Sequence, residues 1–134
     1  MGFLQDKQIL MTGLLSNHSI AYGIAQACRR EGAVLACTFV GERFTNRITD
    51  FASEFDSTLV FECDVGLDAQ IAGLFSDPGR SRDRLDGLVH AIGFAPRDAI
   101  NGDFLHGLTR NGFRIAHDIS AFVFRRWAKP RYHC

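Results

Sequence analysis

The residues best placed to do chemistry lie in a single early stretch, residues 8–25, where an apolar run enters a turn at Gly13 and leaves it into a helix beginning at Ile20. Glycine lets the backbone turn sharply after the strand, and Ser19 is a good N-cap for the helix that follows. The free N–H groups and positive dipole end of that helix then face whatever lies beyond the turn, an arrangement suited to an anion such as phosphate. Gly23, one turn into the helix, is read as a point of close packing between helix and strand. The familiar G-x-G-x-x-G spacing is absent, since only Gly13 and Gly23 stand in this stretch. The same residues equally describe an ordinary strand-turn-helix with no ligand.

The elements that must position this turn follow from the pattern downstream. The helix from Ile20 carries apolar residues at Ile20, Ile24, Ala27 and Cys28 and ends at Gly32. Residues 34–40 are nearly continuously apolar, as in a parallel strand covered on both faces. Phe44, Ile48, Phe51, Ala52 and Phe55 give a helical stripe. Residues 58–62 form a third strand that delivers Cys63, Asp64 and Val65 at its carboxyl end, and Asp68 caps a helix with Ile71, Leu74 and Phe75 that Pro78-Gly79 breaks. After a polar loop at 81–86, residues 88–92 are a fourth strand, and a last helix spans Arg110 to about Trp127.

Four alternating strand-helix units imply right-handed crossovers and a doubly wound parallel α/β sheet of order 3-2-1-4. The strand order reverses between strands 1 and 4, so Gly13, Ser19, Asp64, Val65, Ile92 and Gly93 share one carboxyl edge, the crevice where such sheets take a dinucleotide.

Bulk properties narrow the field. The chain has 134 residues, enough for one domain with a real core, and 15 basic against 15 acidic residues, so no global charge draws it to nucleic acid or an anionic membrane. Cys28, Cys37, Cys63 and Cys134 show no metal-ligand spacing, and the expectation is no metal site and a reducing, cytoplasmic setting. No apolar run approaches membrane-spanning length, and the opening residues are too polar for a signal peptide. His90 and His117 read as packed or capping histidines, and Asp118 as a solvent-facing charge. Arg125, Arg126, Lys129 and Arg131 read as solvated charge rather than a nucleic-acid tail.

The motifs are more specific than the fold. Thr12-Gly13 with Ser19-Ile20-Ala21-Tyr22-Gly23, Cys63-Asp64-Val65, His90-Ala91-Ile92-Gly93-Phe94-Ala95-Pro96 and Ala116-His117-Asp118-Ile119-Ser120 together resemble the NADH-dependent enoyl-[acyl-carrier-protein] reductases of bacterial fatty-acid synthesis. These are divergent short-chain dehydrogenase/reductases with a Rossmann-type fold, and the resemblance runs from Met1 to about Phe124. It implies that Gly13, Ser19 and Ile20 line the pyrophosphate and nearby ribose, that Asp64 and Val65 hold the adenine, and that Ile92 and Gly93 face the nicotinamide. Ala95 would touch the acyl substrate. Val40 stands where relatives often carry an amide near the adenosine ribose, leaving that contact to the backbone. NADH is expected in preference to NADPH, with neighbouring Arg43 and the missing acid at this strand end the features that bear on the choice.

The resemblance further implies an enoyl-acyl carrier protein as partner, a homo-oligomeric family, and a tyrosine and a lysine on a long helix beyond a fifth strand. The tyrosines here are Tyr22 and Tyr132 and the lysines Lys7 and Lys129, none of which makes that pair. The expectations are therefore a truncated sheet without strands 5–7, no catalytic residue in the chain, no turnover by it alone, marginal solubility and NADH binding that is poor or absent. Residues 1–124 are read as the N-terminal part of the domain. Residues 125–134, where the apolar helical register is expected to lapse before Pro130, are read as an aberrant tail from a shifted reading frame. Outside this reading stand a non-catalytic nucleotide-binding module and a carbonyl-reducing superfamily member, the latter disfavoured by Ile92-Gly93 in place of an N-A-G sequence.

Overall fold

A computed structural model of the chain describes residues 2–76 and 85–128. Its centre is a parallel sheet of β1 (Gln8–Met11), β2 (Val34–Phe39), β3 (Leu59–Glu62) and β4 (Gly87–Val89) in the order β3-β2-β1-β4. Ile9 faces both Leu35 and Gly87 in register, so β1 is the strand on which the two halves of the sheet meet. The order expected from the crossovers is the one found.

Alternation along β1 divides the core. Ile9 and Met11 point to one face, where they pack with Leu35 and Cys37 of β2, with Ala21, Ala25 and Cys28 of α1 (Ile20–Arg30), and with Ile48 of α2 (Thr45–Glu54). Leu10 points the other way. It packs with Cys63, Val65, and Ile71 and Leu74 of α3 (Asp68–Ser76), together with Val123 and Trp127. Both faces of the central strands are thus covered, which explains why residues 34–39 lack the polar alternation of a half-exposed strand.

Helix α1 starts and stops as its sequence directs. The Ser19 hydroxyl accepts from the Tyr22 N–H at 3.2 Å, and Gly32 follows the C-cap at φ +90°. A 3-10 turn, Glu42–Phe44, leads into α2. Tyr22 joins the two helices, its ring edge-on to Phe51 at 5.4 Å and its hydroxyl donating to Glu54 Oε1, while Arg29 reaches Asp56 at 2.7 Å.

Several expectations need correction. Gly23 is exposed with no neighbour within 4 Å of a Cβ, so it serves no close packing of helix on strand. Asp68 does not cap α3 but is its first residue, its carboxylate paired with Arg126 at 2.8 Å. The fourth strand is shorter than expected, ending at Val89, because the backbone beyond it donates to the hydroxyls of Thr12 at β1's exit and of Ser120 in the last helix rather than to a strand. Two short helices, α4 (Arg97–Ile100) and α5 (Phe104–Gly107), fill a stretch that carried no assignment. The last helix runs from Arg110 as expected, but in three parts: α6 (Arg110–His117), a π-helical turn (Asp118–Phe122) and α7 (Val123–Ala128).

Its register does not lapse at Arg125. Trp127 is 2 % exposed, meets Phe75 edge-on, and donates its indole N–H to His90 Nδ1 at 3.2 Å. Arg126 is committed to Asp68 and lies over the Phe122 ring rather than being plain solvated charge. Pro78-Gly79, most of the 81–86 loop, Lys129, Pro130, Arg131, Tyr132 and Cys134 lie outside the described residues, as does the Arg43 side chain.

Candidate functional site

The carboxyl edge of the sheet is built at the exit of β1. Thr12 is fully buried; its backbone N–H and its hydroxyl both donate to the Val89 carbonyl, at 3.1 and 2.6 Å, and Oγ1 accepts from the Ala91 N–H at 3.3 Å. One side chain thereby replaces the strand ladder where β1 and β4 part. Gly13 follows at φ +74°, and a Cβ there would stand 2.1 Å from the Ala91 carbonyl oxygen. Glycine is required on both counts, by the backbone conformation and by the approach of the β4 loop.

From Gly13 the chain passes through buried Leu14 and exposed Leu15 to Ser16, whose carbonyl accepts from the Ser19 hydroxyl at 2.7 Å. Ser19 therefore fixes both the turn and the start of α1. Ile20, the first residue of that helix, is 79 % exposed. Arg47 of α2 donates to the Leu15 carbonyl at 3.2 Å and ties the outer side of the loop to the second helix.

The other sequence-selected residues join the same edge from three strands. Val40 follows β2, half-exposed, and leads into Gly41 at φ +81°. Asp64 follows β3, where its Oδ1 accepts from the Gly66 N–H at 2.8 Å and its own N–H donates to Gln70 Oε1 at 2.7 Å. The carboxylate caps its own turn, and Oδ2 has no hydrogen bond among the described residues. Val65 is buried in the second core cluster, with Ile92 partly buried against it, so those two side chains pack while their backbone lies at the edge. Gly93 is exposed with nothing within 4 Å of a Cβ. Ala95 is partly buried in the same loop, ahead of Pro96 at the start of α4.

The loop after β4 is held from behind by residues whose role the sequence reading did not single out. The Phe94 N–H donates to Ser120 Oγ at 2.9 Å, and the Ser120 hydroxyl lies 3.1 Å from the Phe94 carbonyl oxygen. His90 Nε2 bonds the Ser120 carbonyl at 2.8 Å. With Nδ1 accepting from Trp127, Nε2 is left to donate to that carbonyl, and His90 is a packed histidine, as expected. His117 stacks on Phe113 and is exposed, as is Asp118. The available signal for Ser120 was its spacing from His117-Asp118, but only the π-helical turn brings it to the loop.

The edge fits a dinucleotide on three observations. Leu15, Ile20, Val40, Leu67 and Phe94 are exposed large apolar residues that the topology gathers at one end of the sheet. The open face of Gly93 leaves room for a flat ring against the backbone. The α1 N-terminus presents the N–H groups of Ile20 and Ala21 beyond the one that Ser19 caps. No group of three or more metal-ligating side chains exists among the described residues, and none of their helices is long and apolar enough to cross a membrane.

The chain is similar to known proteins in both sequence and structure. The chain is 54% identical over 129 residues to the enoyl-[acyl-carrier-protein] reductase [NADH] of Neisseria meningitidis serogroup B, covering 96% of this chain and 49% of that protein. Against the Escherichia coli K12 enzyme of the same name it is 50% identical with the same coverage. Among solved structures, the enoyl-[acyl-carrier-protein] reductase (NADH) of Aquifex aeolicus VF5 superposes with a TM-score of 0.85 at 38% identity, over 96% of this chain and 50% of that one. The Bacillus cereus enoyl-acyl carrier protein reductase, solved with NADP+ and indole naphthyridinone, gives 0.88 at 34% identity, over 96% and 51%. The chain spans about half the length of the relatives it matches. The family model described as enoyl-(acyl carrier protein) reductase matches residues 13–131, and the chain belongs to that family.

Proposed function

We propose that this chain carries the cofactor-binding part of an NADH-dependent enoyl-[acyl-carrier-protein] reductase. The observation that carries the reading is the convergence of the β1, β3 and β4 exits on one edge, with Gly13 locked under the Ala91 carbonyl and Gly93 left open. In this reading Gly13, Ser19 and Ile20 receive the pyrophosphate and nearby ribose, and the backbone at Val40 borders the adenosine ribose. Asp64 accepts from the adenine amine through Oδ2 while Val65 holds the ring. Ile92 and Gly93 face the nicotinamide, and Ala95 borders the acyl chain. When bound, NADH supplies the hydride that the family transfers to the β-carbon of an enoyl thioester.

The choice of NADH over NADPH is supported by the names of the Neisseria and Escherichia relatives. An enoyl-acyl carrier protein as partner and a homo-oligomeric assembly belong to the same proposal. So does a cytoplasmic setting, with which the free buried thiols of Cys28 and Cys37 agree.

In place of the expectation of poor or absent NADH binding, the 134 residues alone are proposed to bind without turning over, because the four strands that form the edge and the cover from Val123 and Trp127 support it. Tyr22 is engaged with Glu54 between α1 and α2, and Lys7 pairs with Asp86 at the opposite end of the sheet, so neither is at the edge. The division at Phe124 is also a proposal, with the buried Trp127 as a feature it must accommodate; sequencing the coding region for an alternative frame after codon 124 decides it.

Thermal unfolding with and without NADH tests the binding role. Millimolar NADH should raise the transition of the wild-type chain, and Gly93→Ala, which meets no protein atom, should remove the increase while leaving the ligand-free transition unchanged. No increase in the wild type, or the same increase in the variant, would contradict the proposal. A spectrophotometric assay with an enoyl thioester should meanwhile show no protein-dependent oxidation of NADH.

A further inference from the structure

We propose that Ser120 is a positioning residue that sets the nicotinamide side of the site through the loop after β4, an inference that rests on the reading of the edge given above. Phe94 is half-exposed, so burial of its own side chain does not hold the far end of this loop in place. The Phe94 backbone is held instead by one hydroxyl: Ser120 Oγ accepts from the Phe94 N–H at 2.9 Å and lies 3.1 Å from the Phe94 carbonyl oxygen. The carbonyl of the same residue takes His90 Nε2 at 2.8 Å. Both ends of the segment from His90 to Phe94, with Ile92 and Gly93 between them, are therefore fastened to residue 120.

The helix geometry makes this possible. Ser120 lies inside the π-helical turn Asp118–Phe122, where widened winding displaces side chains from the α-helical register and loosens the usual carbonyl pairing. An unbroken α-helix from Arg110 would carry residue 120 on a different bearing. The turn thus places a hydroxyl and a carbonyl together against the β4 loop. The pyrophosphate side has anchors of its own: Ser19 is fixed by the Ser16 carbonyl, and Ala91, which Gly13 meets, is held from β1 by Thr12 Oγ1 at 3.3 Å.

Removing the hydroxyl should loosen one half of the site only. In Ser120→Ala, amide hydrogen exchange at Phe94 should accelerate about tenfold. Affinity for NADH should fall about fivefold, the equivalent of one net hydrogen bond, while affinity for ADP-ribose, which lacks the nicotinamide, stays within about twofold. Ser120→Thr, which keeps a hydroxyl, should restore both readouts. Should Ser120→Ala fail to fold, Ser120→Cys, close in size but a poor hydrogen-bonding group, is expected to show the same split. Unchanged exchange at Phe94, or equal weakening of NADH and ADP-ribose, overturns the inference even where the wild type binds both. A wild-type chain that binds neither ligand overturns the underlying reading of the edge, and this inference with it.

Discussion

On one face of the sheet, α1 and α2 close a core whose buried members all lie between Ile9 and Phe55, with Val60, Val89 and Ala91 packed against it and Tyr22, Phe51 and the Arg29–Asp56 pair sealing the rim. On the other face, the cover over Leu10, Val65 and Ile71 is completed by Val123 and Trp127, more than a hundred residues along the chain from Leu10. The helix that brings them also leaves Phe113, Phe122 and Phe124 exposed, beside an open groove of about 430 Å³ lined by Arg110, Phe113, Arg114, His117, Asp118 and Phe122. One face is local and closed; the other rests on a single distant helix. The site straddles the two. Leu14, beside Gly13, belongs to the first core, whereas Val65 and Ile92 belong to the second. The pyrophosphate part of the edge is therefore on the sturdier face, and the adenine and nicotinamide ends inherit the tolerance of the second.

Trp127→Ala should break that second face with the largest effect. It removes a buried indole together with its contacts to Phe75 and His90, and losses of about 3–5 kcal/mol are typical of such truncations. Denaturant unfolding followed by circular dichroism measures the loss, and hydrogen exchange should show α3 and the β4 loop unprotected while α1 and β2 keep their protection. Uniform loss across both faces would show that the two cores form one cooperative unit.

Gly13→Ala strikes the junction itself. A Cβ forced against the Ala91 carbonyl at a left-handed φ should cost about 1–3 kcal/mol and should weaken binding of any anion at the α1 N-terminus. Equilibrium unfolding with ADP-ribose titration reads both. A variant as stable as the parent would mean that the β4 loop yields easily.

The pH limits should also separate regions. Burial raises the Cys37 thiol from its ordinary 9.0 to about 11, so the native state holds this proton more tightly than the unfolded chain. That contribution is fully present below pH 9 and is lost as pH climbs through about 11. The hydrogen bond to Glu54 likewise raises the Tyr22 hydroxyl above its ordinary 10.0, so alkali acts first on the α1/α2 face. Acid acts elsewhere. The Asp103 carboxylate caps α5 by accepting from the Leu105 N–H and lies beside His106, which together lower it below 3.8, so its contribution is present above that value and fades as pH falls through the lowered one. Unfolding midpoints from pH 3 to 11, with a Cys37→Ala comparison at the alkaline end, check both signs. Tyr22→Phe should be the mildest change. It keeps the ring contacts with Phe51 and Phe55, loses only an exposed hydrogen bond, and should leave the midpoint of equilibrium unfolding near neutral pH nearly unchanged.

Much of this architecture could be read from local chemistry. Ser19 as N-cap, Gly32 past the end of α1, and the unbroken apolar run of β2 each express a backbone rule that needs no tertiary context. The β1–β4 switch point follows from crossover handedness. What local rules could not show was anything decided by packing across long separations. Trp127 amid Arg125, Arg126 and Lys129 looks like a helix losing its register, yet Phe75 and His90 make a place for it. The π-helical turn has no composition signature, so Ser120 could be quoted in a motif without its contact to Phe94 being foreseen. Gly23 shows the opposite failure, a glycine expected to allow close packing that in fact faces open space.

The central claim is that this chain's carboxyl edge binds NADH, with the pyrophosphate on the first face and the adenine and nicotinamide ends against the second, and the direct measurement is an amide chemical-shift map of the chain during NADH titration. Saturable shifts at Gly13, Ser19, Ile20, Asp64, Val65, Ile92 and Gly93, with ADP-ribose reproducing all but those at Ile92 and Gly93, are the predicted result. Absence of saturable shifts, or shifts confined to the groove along α6 at Arg110, Phe113 and Arg114, would contradict it.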